Sequence, residues 1–286
     1  MSDTPPLVSA NWLKENLDAP DIRVVDATWF APFTNPSQTG RQAYTEAHIP
    51  GAVYFDIDEV ADPASDLPHT APPAHVFSSH VRKLGLGDGN RIVVYDQNLL
   101  FASARVWWLF RLMGHRDVCV LDGGMKAWLD AGGGIEDVPP VAVERHFTPR
   151  VRGDLLKSLE QMLALSSQSD PKIVDARPAG RFAGAVPEPR EDLPSGHIPG
   201  SRSLPSGDLL DASGLMKPAD DLKAAIEASG ISSSDPFTAT CGSGVSAAIL
   251  ALAAAVTGND LVSVYDGSWT EWASDPSRPV VTGTAG

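Results

Sequence analysis

The sequence is short of several things, and each shortage removes a class of function. Only two of its 286 residues are cysteine, Cys119 and Cys241. Two widely spaced cysteines build no disulfide framework, and without a CxxC pair or a Cys/His cluster no zinc or other metal site is expected. Basic residues are outnumbered 22 to 36 by acidic ones, giving a formal charge of −14. Such a surface repels phosphate backbones and anionic lipids, so neither nucleic acid nor membrane is expected as a partner. The longest wholly apolar run, Ala247 to Val256, is about half of the roughly 20 residues that a membrane span needs. The first ten residues carry no basic patch leading into an apolar stretch, and a cytoplasmic location is the expectation. No GxGxxG follows a strand, so Gly123–Gly124 and Gly132–Gly134 are not dinucleotide fingerprints.

What the sequence does contain, it contains twice. The first half carries VVDATW from Val24, HIPGAVYFD from His48, RIVVYD from Arg91 and VCVLDGGMKAWL from Val118. The second half carries, in the same order, IVDARP from Ile173, HIPGSRSLP from His197, PFTATC from Pro236 and LVSVYDGSWTEW from Leu261. Asp26 and Asp175 are 149 residues apart, as are His48 and His197; Asp96 and Cys241 are 145 apart, Asp122 and Asp266 144. Four blocks in one order at nearly constant spacing mark a tandem duplication.

Each half alternates short apolar runs with longer helix-like segments. Arg23–Asp26, Arg91–Tyr95 and Val118–Leu121 read as buried strands, as do Lys172–Asp175, Phe237–Thr240 and Leu261–Tyr265. Helices are expected over Ala74–Gly85 and Ala104–Met113, and near Asp154–Leu165, Pro218–Ser229 and Ala247–Val256. This alternation predicts two α/β domains, each a mainly parallel sheet flanked by helices. The boundaries fall at residues 1–138 and 154–286, with 139–153 as a linker rich in proline and β-branched residues.

Cys241 ends a strand and precedes a helix, with Gly242, Ser243, Gly244, Val245 and Ser246 between. In an open α/β sheet the crevice beyond the carboxyl ends of the strands is the usual ligand site. A loop with two glycines can curl so that its backbone N–H groups face the cysteine sulfur, and the following helix N-terminus adds its dipole. Together they favour an anion at sulfur, whether a thiolate or a persulfide. Cys119, inside VCVLD, has no such cradle and reads as core. Aligned with Cys241 in the first half is Asp96, so that copy has no thiol there and is expected to be catalytically silent, a wall of the site. The tryptophans at 107, 108, 269 and 272 read as core packing.

The paired HIPG turns, LDGG, YDGSW and CGSGVS resemble the rhodanese superfamily across nearly the whole chain, and more narrowly its tandem-domain mercaptopyruvate-using members. The resemblance implies two rhodanese-like domains, the second catalytic, and a sulfurtransferase that carries sulfur on Cys241 as a persulfide. It implies 3-mercaptopyruvate as donor, a small thiol, thioredoxin or cyanide as acceptor, and no cofactor. Thiosulfate-using relatives typically have basic residues in the active loop; between Cys241 and Ala247 there is no charge, which favours mercaptopyruvate. Phosphatases of similar fold need an arginine six residues after the cysteine, where this sequence has Ala247.

A mercaptopyruvate carboxylate needs a basic clamp in so acidic a protein. Arg181 and Arg190, on a loop broken by Gly184, Pro187 and Pro189, supply two guanidinium groups. The resemblance implies that both hold substrate; by sequence alone they could equally pair with Glu188, Glu191 or Asp192. Arg177, at a strand end, is expected to order that end or to pair with an acid. The resemblance further implies that Ser243 works with His48 and Asp26 in moving protons. Against this, His197 and Asp175 repeat the same motifs, so HIPG could serve only to build a turn.

Overall fold

The computed structural model describes residues 4–34 and 36–284. By contacts the chain divides into two units, one of Met1–Ala64, Ala71–Arg152 and Ser213–Leu215, the other of Ser65–Thr70, Gly153–Ala212 and Met216–Gly286. The first holds strands β1 (Leu7–Val8), β2 (Ile22–Asp26), β3 (Val53–Tyr54), β4 (Arg91–Tyr95) and β5 (Val118–Leu121). The second holds β6 (Leu156–Lys157), β7 (Ile173–Asp175), β8 (Arg202–Ser203), β9 (Thr238–Thr240) and β10 (Ser263–Tyr265).

The sheet orders are β1-β5-β4-β2-β3 and β6-β10-β9-β7-β8, and every neighbouring pair is parallel. Replacing each strand of the first unit by its counterpart five places later turns one order into the other, so the duplication extends to topology. The central strands are buried over nearly their whole length, as apolar runs in a parallel sheet covered by helices must be.

The helices of the first unit are α1 (Ala10–Asn16), α2 (Gly40–Glu46), α3 (Ala74–Lys83), α4 (Ser103–Leu112) and α5 (Gly124–Asp130). Those of the second are α6 (Leu159–Ser166), α7 (Ala179–Phe182), α8 (Ala219–Ala228), α9 (Ala247–Val256) and α10 (Ser268–Ala273). The run AAILALAAAV, apolar on every side, forms α9, which packs on β9 and β10 and buries nearly every residue; a helix without a polar face belongs in a core. α4 does the same on β4 and β5. Among the described residues no helix is long and apolar enough to cross a membrane.

One expected helix is reshaped. In place of a helix over Asp154–Leu165, a 3₁₀ turn at Gly153–Leu155 leads into β6, and α6 starts only at Leu159. Ser158 is the reason. Its hydroxyl accepts the Gln161 N–H at 3.3 Å while Gln161 Oε1 accepts the Ser158 N–H at 2.9 Å, a capping box that starts the helix there. The two-residue edge strands were not foreseen, because a run that short carries no period to read.

The parallel registers set out the site. Asp175 pairs with Thr240 and Val264 with Ala239. The loops that leave β7, β9 and β10 therefore start from one edge of one sheet, at its carboxyl ends.

Candidate active site

Cys241 is the first residue after β9, and its loop is anchored by its carbonyls. Cys241 O accepts the Trp269 N–H at 2.9 Å, and Gly242 O accepts both the Thr270 N–H at 2.9 Å and the Thr270 hydroxyl at 2.7 Å. The peptide oxygens are thus tied to the start of α10. The Gly244 N–H donates to Cys241 Sγ at 3.2 Å, and φ of +82° at Gly244 is the left-handed value that suits glycine. Among the described residues, the amides of Gly242, Ser243, Val245 and Ser246 donate to no protein acceptor. The Ser243 hydroxyl, partly exposed, likewise makes no hydrogen bond among the described residues.

The corresponding loop of the first unit displays what such a loop can hold. Asp96 follows β4 as Cys241 follows β9. Its Oδ1 accepts the N–H groups of Asn98 and Leu100, each at 3.1 Å, and its Oδ2 those of Ala102 at 3.0 Å and Ser103 at 2.8 Å. Burial pushes this carboxyl up, and the backbone donors from Ser103, Asn98 and Leu100 act against that shift. At this place in the fold, a loop turns several amides onto an acidic side chain.

Behind the sulfur lies a buried ionic chain. Arg177 grips Asp175 through Nε and Nη2, the shortest contact being 2.6 Å, stacks over Trp269 with its guanidinium carbon 4.4 Å from the ring centre, and donates to Gly196 O at 2.7 Å. Its Nη1 donates to Glu188 Oε1 at 2.9 Å. Burial alone would depress the Arg177 guanidinium, but Asp175, Glu188 and Cys241 together raise it above its ordinary value. Glu188 in turn receives Arg181, from Nε at 3.2 Å and from Nη2 at 2.5 Å. Arg181 Nη2 also lies 3.3 Å from where a side-chain carbon on Gly242 would stand, so this guanidinium rests on the Cys241 loop. Arg190 makes no hydrogen bond or ion pair through its side chain among the described residues. The two arginines therefore differ: the acid pairing open to both from sequence is realised for Arg181 alone.

Ser268 is the residue that sequence reasoning passed over. Its hydroxyl accepts the Cys241 N–H at 3.2 Å, donates to Tyr265 O at 2.8 Å and lies 3.9 Å from Cys241 Sγ. The YDGSW block was noticed as a repeat, but nothing in it places a hydroxyl beside a cysteine 27 residues away. Only the β9–β10 pairing does that. The tryptophans of the second unit are core, Trp269 and Trp272 being 1% and 0% exposed.

Asp26 and His48 belong to the first unit and are buried in it. Asp26 Oδ1 accepts the Thr28 N–H at 2.8 Å, and burial holds its carboxyl above the usual carboxylate range. His48 exchanges backbone hydrogen bonds with Glu136, stacks on Tyr44 and donates from Nδ1 to Tyr44 O at 2.8 Å. A carbonyl only accepts, so Nδ1 carries a proton; Glu136 Oε1 is 3.5 Å from Nε2. His197 does the same in the second unit, bridging to Val281, stacking on Phe182 and donating from Nδ1 to Phe182 O at 2.9 Å. Both HIPG histidines therefore pin a turn to the chain. Cys119 is wholly buried, its thiol pushed up to about 12 by burial, and is no nucleophile.

The sequence and fold have close counterparts. Residues 9–131 and again 158–275 match the Rhodanese-like domain. A 3-mercaptopyruvate sulfurtransferase of Mus musculus is 38% identical, covering 93% of this chain and 91% of its own length. A thiosulfate sulfurtransferase of Bos taurus is 40% identical over the same shares. The crystal structure of SseA from Escherichia coli, described as one of the 3-mercaptopyruvate sulfotransferases, superposes with a TM-score of 0.84 at 35% identity, covering 93% of this chain and 99% of that one.

Proposed function

The chain belongs to the rhodanese family, as a tandem-domain sulfurtransferase, and on that premise we propose that it moves sulfur from 3-mercaptopyruvate to a thiol or cyanide through a persulfide on Cys241. The observation that carries this reading is the Cys241 loop, uncharged from Gly242 to Ser246, with four amides that lack an acceptor among the described residues. An uncharged cradle of N–H dipoles stabilises a single sulfur anion without binding a dianion in advance.

The steps balance without a cofactor. The Cys241 thiolate attacks the sulfur of mercaptopyruvate, held at its carboxylate by Arg181 and Arg190. The S–S bond forms as the C–S bond breaks, and the electron pair of that bond goes to carbon as the enolate of pyruvate. The thiol proton of the donor ends on that carbon, leaving pyruvate and Cys241–S–S⁻. An acceptor thiolate, small or carried by thioredoxin, or cyanide then attacks the outer sulfur and restores Cys241. Ser243 is the proposed route for the proton, on the strength of the family resemblance. A Ser243→Ala variant that releases pyruvate at the full rate would remove Ser243 from that route.

Thiosulfate is the second reading, since a relative named for it is as similar as those named for mercaptopyruvate. Intact-protein mass spectrometry after exposure to each donor separates the two. A gain of one sulfur, greater with mercaptopyruvate and lost in Cys241→Ser, is the expected result. Equal or better loading by thiosulfate would overturn the donor, and loading by neither would leave a sulfur-binding or interaction module in place of an enzyme. Arg190→Ala should weaken mercaptopyruvate use far more than thiosulfate use.

A further inference from the structure

We propose that Glu188 is a specificity residue: by neutralising Arg181 it limits the donor site to one net positive charge and so selects monoanionic over dianionic sulfur donors. The inference rests on the reading of Arg181 and Arg190 as the donor clamp.

Four charged side chains of the second unit, Asp175, Arg177, Glu188 and Arg181, gather behind and beside Cys241. Asp175 pairs with Arg177, and Glu188 bridges Arg177 to Arg181. The two carboxylates balance the guanidinium groups of Arg177 and Arg181, so the positive charge of the proposed clamp comes from Arg190, which among the described residues has no acid partner. The Glu188 side chain is 2% exposed and that of Arg181 17%, so solvent does little to weaken the pair. Arg177 already has Asp175 on two of its nitrogens. The charge of Glu188 is therefore available to offset Arg181.

Arg181 keeps a use without its net charge. Glu188 takes Nε and one N–H of Nη2, and the remaining N–H groups can still bond a carboxylate oxygen directionally. Arg190 supplies the charge. A monoanion such as mercaptopyruvate is satisfied by one positive charge and a set of donors. A dianion such as thiosulfate brings a second charge out of water with nothing opposite it. Because attraction scales with the product of charges, one added positive charge favours a dianion about twice as strongly as a monoanion.

The test is Glu188→Gln, which keeps the shape and an oxygen for Arg177 while removing the charge. Full kinetics with both donors should show kcat/KM for thiosulfate, relative to mercaptopyruvate, rising by about tenfold, mostly through KM, a change equivalent to about 1.4 kcal/mol. The thiosulfate rate should also become more sensitive to ionic strength than in the wild type. Glu188→Asp, which keeps the charge, should retain a ratio near that of the wild type. A ratio within twofold of wild type in Glu188→Gln would overturn the proposal, as would equal loss with both donors. Should Glu188→Gln not fold, inhibition of the wild-type enzyme decides: pyruvate should compete at least as well as sulfate. Sulfate binding ten times more tightly would sink the idea. If the wild type releases no pyruvate from mercaptopyruvate, the clamp itself fails; if it does and the ratio does not move, only the role of Glu188 falls.

Discussion

The backbone N–H of Cys241 donates to the hydroxyl oxygen of Ser268 at 3.2 Å, and that hydroxyl stands 3.9 Å from the Cys241 sulfur. Ser268 is held at φ +50°, a left-handed conformation that is costly for any residue but glycine. Its proton points to Tyr265 O at 2.8 Å but needs only a rotation of the hydroxyl to reach sulfur. A strained residue in contact with Cys241, the proposed nucleophile, is where the fold and the proposed chemistry meet.

Ser268→Ala should therefore lower kcat/KM for sulfur loading by about 10- to 100-fold, the size of one lost hydrogen bond to a charged group. Ser268→Gly removes the hydroxyl but accepts the positive φ. It should lose activity to the same extent while unfolding at a midpoint closer to the wild type. Pyruvate release and urea denaturation, measured on both variants, check this. Full activity in either one would reduce the hydroxyl to a structural cap.

Arg177 is a stability prediction. It is 1% exposed and bonds Asp175, Glu188 and Gly196 O while stacking on Trp269. Arg177→Met leaves the buried Asp175 carboxylate without its cation and takes one of the two arginines from Glu188, and should cost about 3–5 kcal/mol in urea unfolding. Arg177→Lys should recover only part of this, because an ammonium has neither the fork for Asp175 nor the flat face for the indole. A loss under about 1 kcal/mol for Arg177→Met would show that the cluster contributes little to the fold.

Acid sensitivity follows from two histidines. Burial lowers the pKa of His115 and of His197, so both are kept neutral in the folded state. Below the unfolded value of about 6.5 the unfolded chain binds the extra protons, and stability is lost as pH falls from there toward the lowered native values, where the loss ends. Asp26 and Asp96 act in the opposite sense, since burial raises their carboxyls and protonation relieves the buried charge. The histidine share is thus read by difference. Between pH 7.5 and 5.5 the urea midpoint should fall more steeply in the wild type than in His115→Gln or His197→Gln. Parallel slopes would contradict it.

Much of the fold was legible because parallel, doubly covered strands must be apolar throughout, and RIVVY or VCVL admits few other placements. The two-residue edge strands were not legible, since sheet pairing and not local pattern makes them. Within the site, the Gly-x-Gly after Cys241 announced the loop by itself, because a cysteine followed by glycines has few bland uses. The ionic chain was only half visible: Arg181 and Arg190 looked alike, with three acids equally near in sequence.

By itself, then, the sequence determined the duplication, the α/β class and the absence of a thiol at Asp96. These depend on composition and spacing, which are local and written in order. Tertiary structure alone decided which arginine is neutralised and which hydroxyl lies beside the sulfur. Glu188 chooses Arg181 because Arg177 already holds it, and Ser268 reaches Cys241 because parallel pairing of Val264 with Ala239 brings both strand ends to one edge. Charge pairing and parallel register act between segments far apart in the chain, and no local pattern records them.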